Sequence, residues 1–189
     1  MLYTTQRRMV INMSISTLQE FTFYFLIYSL GGWLLENVYS WFVDDQFWKE
    51  GFLKGPFKPM YGFAPLLLSL SLTWHLHWSI IFILGFIIPT AIEYISGVLL
   101  QSLFQKRWWD YSAHSLQLQG HVCLKFSLYW CPLSLVCIYG LHPWVINIYS
   151  RTLPIWNWIF PLFVLYIIVD VIWSSYSWRL ISKKSLTTT

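Results

Sequence analysis

The chain of 189 residues is 57% apolar and 11% charged, and carries 12 Lys and Arg against 8 Asp and Glu. A soluble domain carries about 25% charged residues, so this chain cannot cover a globule with polar groups unless lipid covers most of it. The composition excludes an ordinary soluble enzyme, a nucleic-acid reader and a disordered tail, and reads as an integral membrane protein.

From the N-terminus, residues 1–20 form a polar segment that includes Arg7 and Arg8. The apolar run that follows, Phe21–Phe42, has no small-residue cleavage site and is too long for a signal-peptide core. Nothing before Met13 looks structural, which makes Met13 an alternative start to Met1. A helix needs about 20 apolar residues to cross roughly 30 Å of hydrocarbon. Five segments qualify: Phe21–Phe42, Pro59–Leu76, Trp78–Phe104, Phe126–Val145 and Ile155–Tyr176. The expected fold is all-α, a polytopic bundle of about five transmembrane helices forming one domain over 21–178, with a basic tail at 179–189. The short turn at His75-Leu76-His77 joins the second and third spans as a hairpin.

Orientation follows the positive-inside rule. One side would hold Arg7, Arg8 and Arg151; the other would hold Lys49, Lys54, Lys58, Lys106, Arg107, Lys125, Arg179, Lys183 and Lys184. The imbalance predicts an external N-terminus and a cytoplasmic C-terminus. Trp41, Trp48, Trp74, Trp78, Trp108, Trp109, Trp144, Trp156 and Trp178 fall at span ends, where indole anchors at headgroup level. Cys123, Cys131 and Cys137 form no C-x-x-C pair and read as apolar helix filler.

Three acids lie inside apolar spans: Glu36, Glu93 and Asp170. A charge at the bilayer centre costs about 2.5–3.5 kcal/mol on insertion scales, so such residues face protein or a wet cavity. Each sits on a small or polar stripe at helical spacing: Ser29-Gly32-Glu36-Ser40, Gly85-Pro89-Glu93-Gly97 and Tyr166-Asp170-Ser174-Ser177. Their spans run in the same direction and place them at a common depth in the cytoplasmic third, which predicts a shared polar centre. No base lies within a span core. The acids must therefore be protonated, bonded to hydroxyl or indole donors, paired with a snorkelling base such as Lys58 or Lys125, or holding a cation. Packing glue between helices is the competing reading. A faint internal echo adds to this: Glu36 and Glu93 are each followed by a loop and a further span.

Several motifs follow one another in order: Gly32-Trp33-x-x-Glu36-x-x-Tyr39, then Gly51-Phe52-Leu53-x-Gly55-Pro56-x-x-Pro59-x-Tyr61-Gly62, then Arg107-Trp108-Trp109-Asp110-Tyr111-Ser112, Gly120-x-x-Cys123-Leu124 and His142-Pro143. In these the chain resembles the bacterial putative ABC-transporter type IV family, the CmpB-type putative ABC transporter permeases. The likeness runs from about Phe25 to Val145 and leaves the last span outside it. The chain departs from the family pattern at Lys49-Glu50, His121-Val122 and Trp130-Cys131. The resemblance implies a multi-pass transport component of the bacterial plasma membrane.

There is no G-x-x-x-x-G-K-[ST] phosphate cradle, so transport would require a separate ATPase subunit, and the small size favours that partner or a homo-oligomer. No nucleophile elbow or H-E-x-x-H zinc site appears, His75 and His77 do not share a helix face, and no metal or cofactor is expected. The leading expectation is a permease-like component. Its polar core is Glu36, Glu93 and Asp170, and its cytoplasmic mouth is built from Gly51, Gly55, Pro56, Pro59, Tyr61 and Gly62 together with Arg107–Ser112. Lys54, Lys58, Lys106 and Arg107 would form a basic collar there, while Asp110 beside Arg107 would lock its loop. The alternatives are a membrane-embedded enzyme acting on lipid-linked substrates, with Glu36, Glu93 and Asp110 as acid–base groups, and a scaffold or regulatory subunit.

Overall fold

The computed structural model describes residues 2–187, with side chains described for 16–43, 45–72 and 74–183. Met1 and the side chains of Arg7, Arg8, Met13 and Lys184 lie outside the described residues. In chain order the elements are α1 (Leu2–Asp44), α2 (Pro59–Thr73), α3 (Trp78–Phe104), a two-stranded antiparallel ribbon of β1 (Gln117–Leu118) and β2 (Val122–Cys123), α4 (Leu124–Val136), a π-helical turn (Cys137–Leu141) and α5 (His142–Thr187). Helix α1 begins at Leu2 rather than Phe21, so the stretch before Met13 is helical after all. No Gly or Pro interrupts it before Gly31.

Two helical stretches, Trp78–Phe104 and Leu124–Lys183, are long and apolar enough to cross a membrane, and Pro59–Leu72 is a shorter apolar helix. Burial in α3 runs opposite to that of a soluble protein. Its buried face is Ile81, Gly85, Pro89, Glu93, Gly97 and Phe104, whereas Ile83, Ile87, Ile95 and Leu99 are exposed. Small residues let neighbouring helices approach closely. At Gly85, an added Cβ would stand 2.6 Å from that of Ser134 on α4. His77 accepts the amide of Ser79 and caps the start of α3, and Gln105 ends the helix in the left-handed region.

The stretch Leu141–Pro154, which takes in the gap between the fourth and fifth expected spans, is helical. The run from α4 through α5 nevertheless reverses direction. Straight, Leu124 and Trp178 would stand about 80 Å apart at 1.5 Å per residue. Yet Leu124 donates its amide to Leu116 in the 105–123 loop, and Trp178 packs 5.3 Å from Trp108 in the same loop. The π-turn and the internal Pro154 and Pro161 are the breaks in hydrogen bonding that let the helix bend. Beyond the turn, Val145, Trp156 and Phe163 pack with Phe23, Tyr24 and Tyr28 of α1 in the larger apolar core.

Both loops fold back along the helices that precede them. The Lys58 amide bonds the Ser29 carbonyl at 3.2 Å, about 22 Å back along α1 from its end. Likewise, His121 packs against Gly97, two turns back from the end of α3. The polar groups of this irregular backbone are thereby packed against protein. Helices α2 and α4 are short because these loops have already covered part of the distance.

The aromatic anchors divide into two groups. Trp41, Trp48, Trp74, Trp78 and Trp144 are exposed. In contrast, Trp156 and Trp178 are buried and donate to the carbonyls of Gln19 and Phe52, so these two hold segments together instead of anchoring in lipid. The three cysteines are free, and Cys123 lies in β2 rather than in a helix.

Candidate functional site

Glu36 stands on the buried Ser29-Gly32-Ser40 face of α1, where the Gly32 hydrogen is in contact range of the Tyr61 side chain and brings α2 directly onto α1. A base has come to it from the loop: Lys58 Nζ is 2.7 Å from Oε2 and Lys49 Nζ is 3.6 Å from Oε1. The loop is fixed for this by the Lys58 amide on Ser29 and by the Lys49 amide on Asn37 Oδ1 at 2.9 Å. Pro59 opens α2 at its first turn, where no amide donor is needed.

Glu93 is handled differently. Its side chain, 2% exposed, accepts the Tyr111 hydroxyl at 2.8 Å on Oε1 and the Trp130 indole N–H at 3.1 Å on Oε2. Asp170 follows a third solution. Its two oxygens accept the backbone amides of Lys54 and Gly55, each at 3.0 Å, and Oδ1 also accepts the Ser174 hydroxyl at 3.0 Å. A Cβ at Gly55 would meet the tip of the exposed Tyr166 side chain and stand 2.9 Å from Asp170 Oδ2, so glycine leaves this approach open. The expected common centre therefore splits. Tyr61, Glu36 and Glu93 border one chamber, while Asp170 lies outside it and clamps the loop that carries Lys58. Depth alone could not separate them, since it says nothing of which way each face turns.

The remaining loop residues take distinct places. Gly62 packs on Phe25, whereas Gly51 is only in ordinary contact and Pro56 is exposed. Arg107 bonds Gln101 Oε1 at 3.1 Å and both Asp110 Oδ1 and Ser112 Oγ at 3.2 Å. The Ser112 amide and hydroxyl also donate to Asp110, and with Arg107 beside it the carboxyl is held below the usual carboxylate range. Trp109 donates to the His121 carbonyl at 2.8 Å, and Trp108 sits among Phe52, Phe104 and Trp178. The expected basic collar is not a free one. Lys58 is buried against Glu36, Lys106 pairs with Glu50 and lies 4.0 Å from the Trp178 ring centre, and Lys54 lies over the same ring at 4.4 Å.

Two cavities meet at Glu93. One, of about 300 Å³, faces the loops and is bordered by Glu36, Lys49, Asp110 and a set of aromatic rings. The other, of about 200 Å³, extends the opposite way past Tyr28, Pro65, Pro89 and Ser134. They share one wall: Leu35, Met60, Tyr61, Glu93, Trp130 and Leu133. Sequence reasoning missed Trp130, Lys49 and Asn37 as parts of this arrangement. Trp130 did carry a signal, being a Trp one turn inside the expected Phe126–Val145 span.

A family model described as Putative ABC-transporter type IV matches residues 23–175. The match takes in the last span and so corrects the shorter extent read from the motifs. No curated protein and no solved structure matches the chain.

Proposed function

The chain belongs to the putative ABC-transporter type IV family, and on that premise we propose that it is a five-span, multi-pass transport component of the bacterial plasma membrane. In this reading it works with a separate ATPase subunit. The observation that carries it is the wall at Glu93. Two cavities on opposite sides of one buried carboxylate, separated by the Tyr61 and Trp130 rings 5.6 Å apart, are what a path with a single constriction requires. A buried acid facing such a path is the usual mark of a substrate or ion site within a membrane protein. The reversal of the α4–α5 run supports counting it as two spans, and the Lys and Arg distribution supports a cytoplasmic C-terminus with the loop-side cavity as the cytoplasmic mouth. Residues 21–178 would then form one transmembrane domain, with Glu36 and Glu93 as its polar core and Asp170 as the residue that fastens the 51–58 loop.

The test is purification of the tagged full-length chain from its native membrane in mild detergent. A co-purifying subunit with ATP-hydrolysing activity is expected. A chain that leaves the membrane alone, with no ATPase activity in the eluate, would overturn the reading. Reporter fusions after Lys58 and Lys184 should read as cytoplasmic, and external signals would overturn the orientation.

One observation favours a second reading. The loop-side cavity also gathers Glu36, Glu93 and Asp110, the three acids an enzyme on lipid-linked substrates would use for proton transfer. Product formation by the isolated chain from such a substrate would select it.

A further inference from the structure

We propose that the loop-side cavity binds a small organic cation, an alkylated ammonium, with its charge against Glu93. The proposal rests on the transport reading in taking this cavity as the place where the carried molecule is held.

Lys49 and Lys58 both reach toward Glu36, two bases on one acid, so no negative charge is left over on that wall. Among the described residues, Glu93 has no Lys, Arg or His within ion-pairing distance. Its two partners, Tyr111 and Trp130, are neutral donors, one to each oxygen. Donors of this kind favour an ionised carboxylate but do not neutralise it. Asp110, at the cavity border, is already engaged by Arg107. The acid of the chamber without a basic partner among the described residues is therefore Glu93, and a cation beside it would stabilise its ionised form.

The lining then selects the kind of cation. Tyr61, Trp109, Tyr111, Phe126, Tyr129 and Trp130 line the cavity. Tyr111 and Phe126 are stacked at 5.0 Å, and Tyr129 meets Phe126 edge-on at 5.8 Å. Aromatic faces attract a cation through their quadrupole and favour one that sheds its water easily. A hard metal ion needs six or more oxygen ligands, and no cluster of three His, Cys, Asp or Glu suited to a metal occurs among the described residues. An anion would face Glu93 and the negative ring faces, and Lys49 at the cavity border is already drawn to Glu36. An ammonium carrying methyl groups satisfies both features, its charge on Glu93 and its apolar surface on the rings. The volume of about 300 Å³ lies at the lower end of small-molecule sites, which suits a molecule of this size.

Trp109 and Trp130 border the cavity and provide the readout. The purified full-length chain is titrated with choline chloride and, in parallel, with 3,3-dimethyl-1-butanol, the same shape with carbon in place of the charged nitrogen, at constant ionic strength. Saturable fluorescence change with choline at least tenfold tighter than with the alcohol is expected. E93Q should abolish that preference. Should E93Q fail to fold, Y129L, which removes a half-exposed ring, should weaken choline binding severalfold and leave the size-exclusion profile unchanged. Equal binding of the two probes, or tighter binding of inorganic phosphate than of choline, overturns the proposal. The titration needs no ATPase, so a missing ligand preference overturns the ligand class alone, whereas a missing ATPase subunit overturns the transport reading.

Discussion

Tyr111, in the loop after α3, donates its hydroxyl to Glu93 at 2.8 Å, and so ties that loop back to the middle of the helix it has just left. The bond does two jobs. It satisfies a carboxyl that has no base beside it among the described residues, and it holds the aromatic wall of the loop-side cavity in position. Y111F removes the donor while keeping the ring. The bond is worth about 0.5–1.5 kcal/mol to a neutral carboxyl and up to about 3 kcal/mol to an ionised one, and Glu93 keeps the Trp130 donor when it is lost. The expected outcome is a lower unfolding temperature in detergent and faster hydrogen exchange in residues 105–116. A variant whose loop exchanges as slowly as the parent would show that Tyr111 is not what fastens it.

Glu36 and Lys58 give the opposite case, a buried acid matched by a base. Their side chains are 17% and 9% exposed, so removing one partner leaves a charge with little water to take it. K58M should destabilise by about 3 kcal/mol, the low end of the range for breaking a buried pair, because Lys49 stays near Glu36. The double variant E36Q/K58M should recover most of that loss, since neither charge is then stranded. Chemical denaturation of all three proteins checks the sign. A double variant less stable than K58M would mean that Glu36 is still held favourably by Lys49 once Lys58 is gone.

Close packing makes two neighbouring glycines unequal. A Cβ at Gly32 would run into the Tyr61 side chain, while one at Gly31 meets nothing within 4 Å. G32A should therefore cost about 1–3 kcal/mol through overpacking and push α2 away from α1. G31A should be neutral or stabilising by up to about 1 kcal/mol, from the higher helix propensity of Ala. Thermal unfolding of the two variants side by side separates packing from propensity. Equal effects would mean that the contact with Tyr61 yields at no cost.

Much of this arrangement was legible because the chain has so few charges. The stripe Gly85-Pro89-Glu93-Gly97 reads directly as the buried face of α3, since small and polar residues at every fourth place contrast with a large apolar remainder. The Arg107–Ser112 and Gly51–Gly62 motifs likewise marked the two loops that enclose the carboxylates. What could not be read was orientation about the helix axis and return of the loops. Hydropathy measures how long a segment is, so it placed Glu36, Glu93 and Asp170 at one depth, but it has no term for the azimuth that sends Asp170 to the amides of Lys54 and Gly55. Nor does it anticipate helical backbone through Leu141–Pro154, because the reversal there is made at a π-turn and internal prolines and not by a loop composition.

Asp110 supplies a dependence on pH that can be argued from sign alone. The Ser112 hydroxyl and amide and the Arg107 guanidinium hold its carboxyl below the usual carboxylate range in the folded loop. An unfolded Asp takes up its proton near pH 4. The folded loop binds that proton less readily, so its contribution to order is complete above about pH 4 and fades as the pH falls through the lower folded value. Gly120, with φ of +74°, closes the same loop, and an added Cβ there would stand 2.7 Å from Asp110 Oδ1. The loop-side cavity should therefore remain formed from neutral pH down to about pH 4 and open below it, seen as a red shift in the emission of Trp109. In D110N the neutral amide cannot titrate, so this transition should vanish from the pH profile. The same low-pH shift persisting in D110N would assign it to another acid.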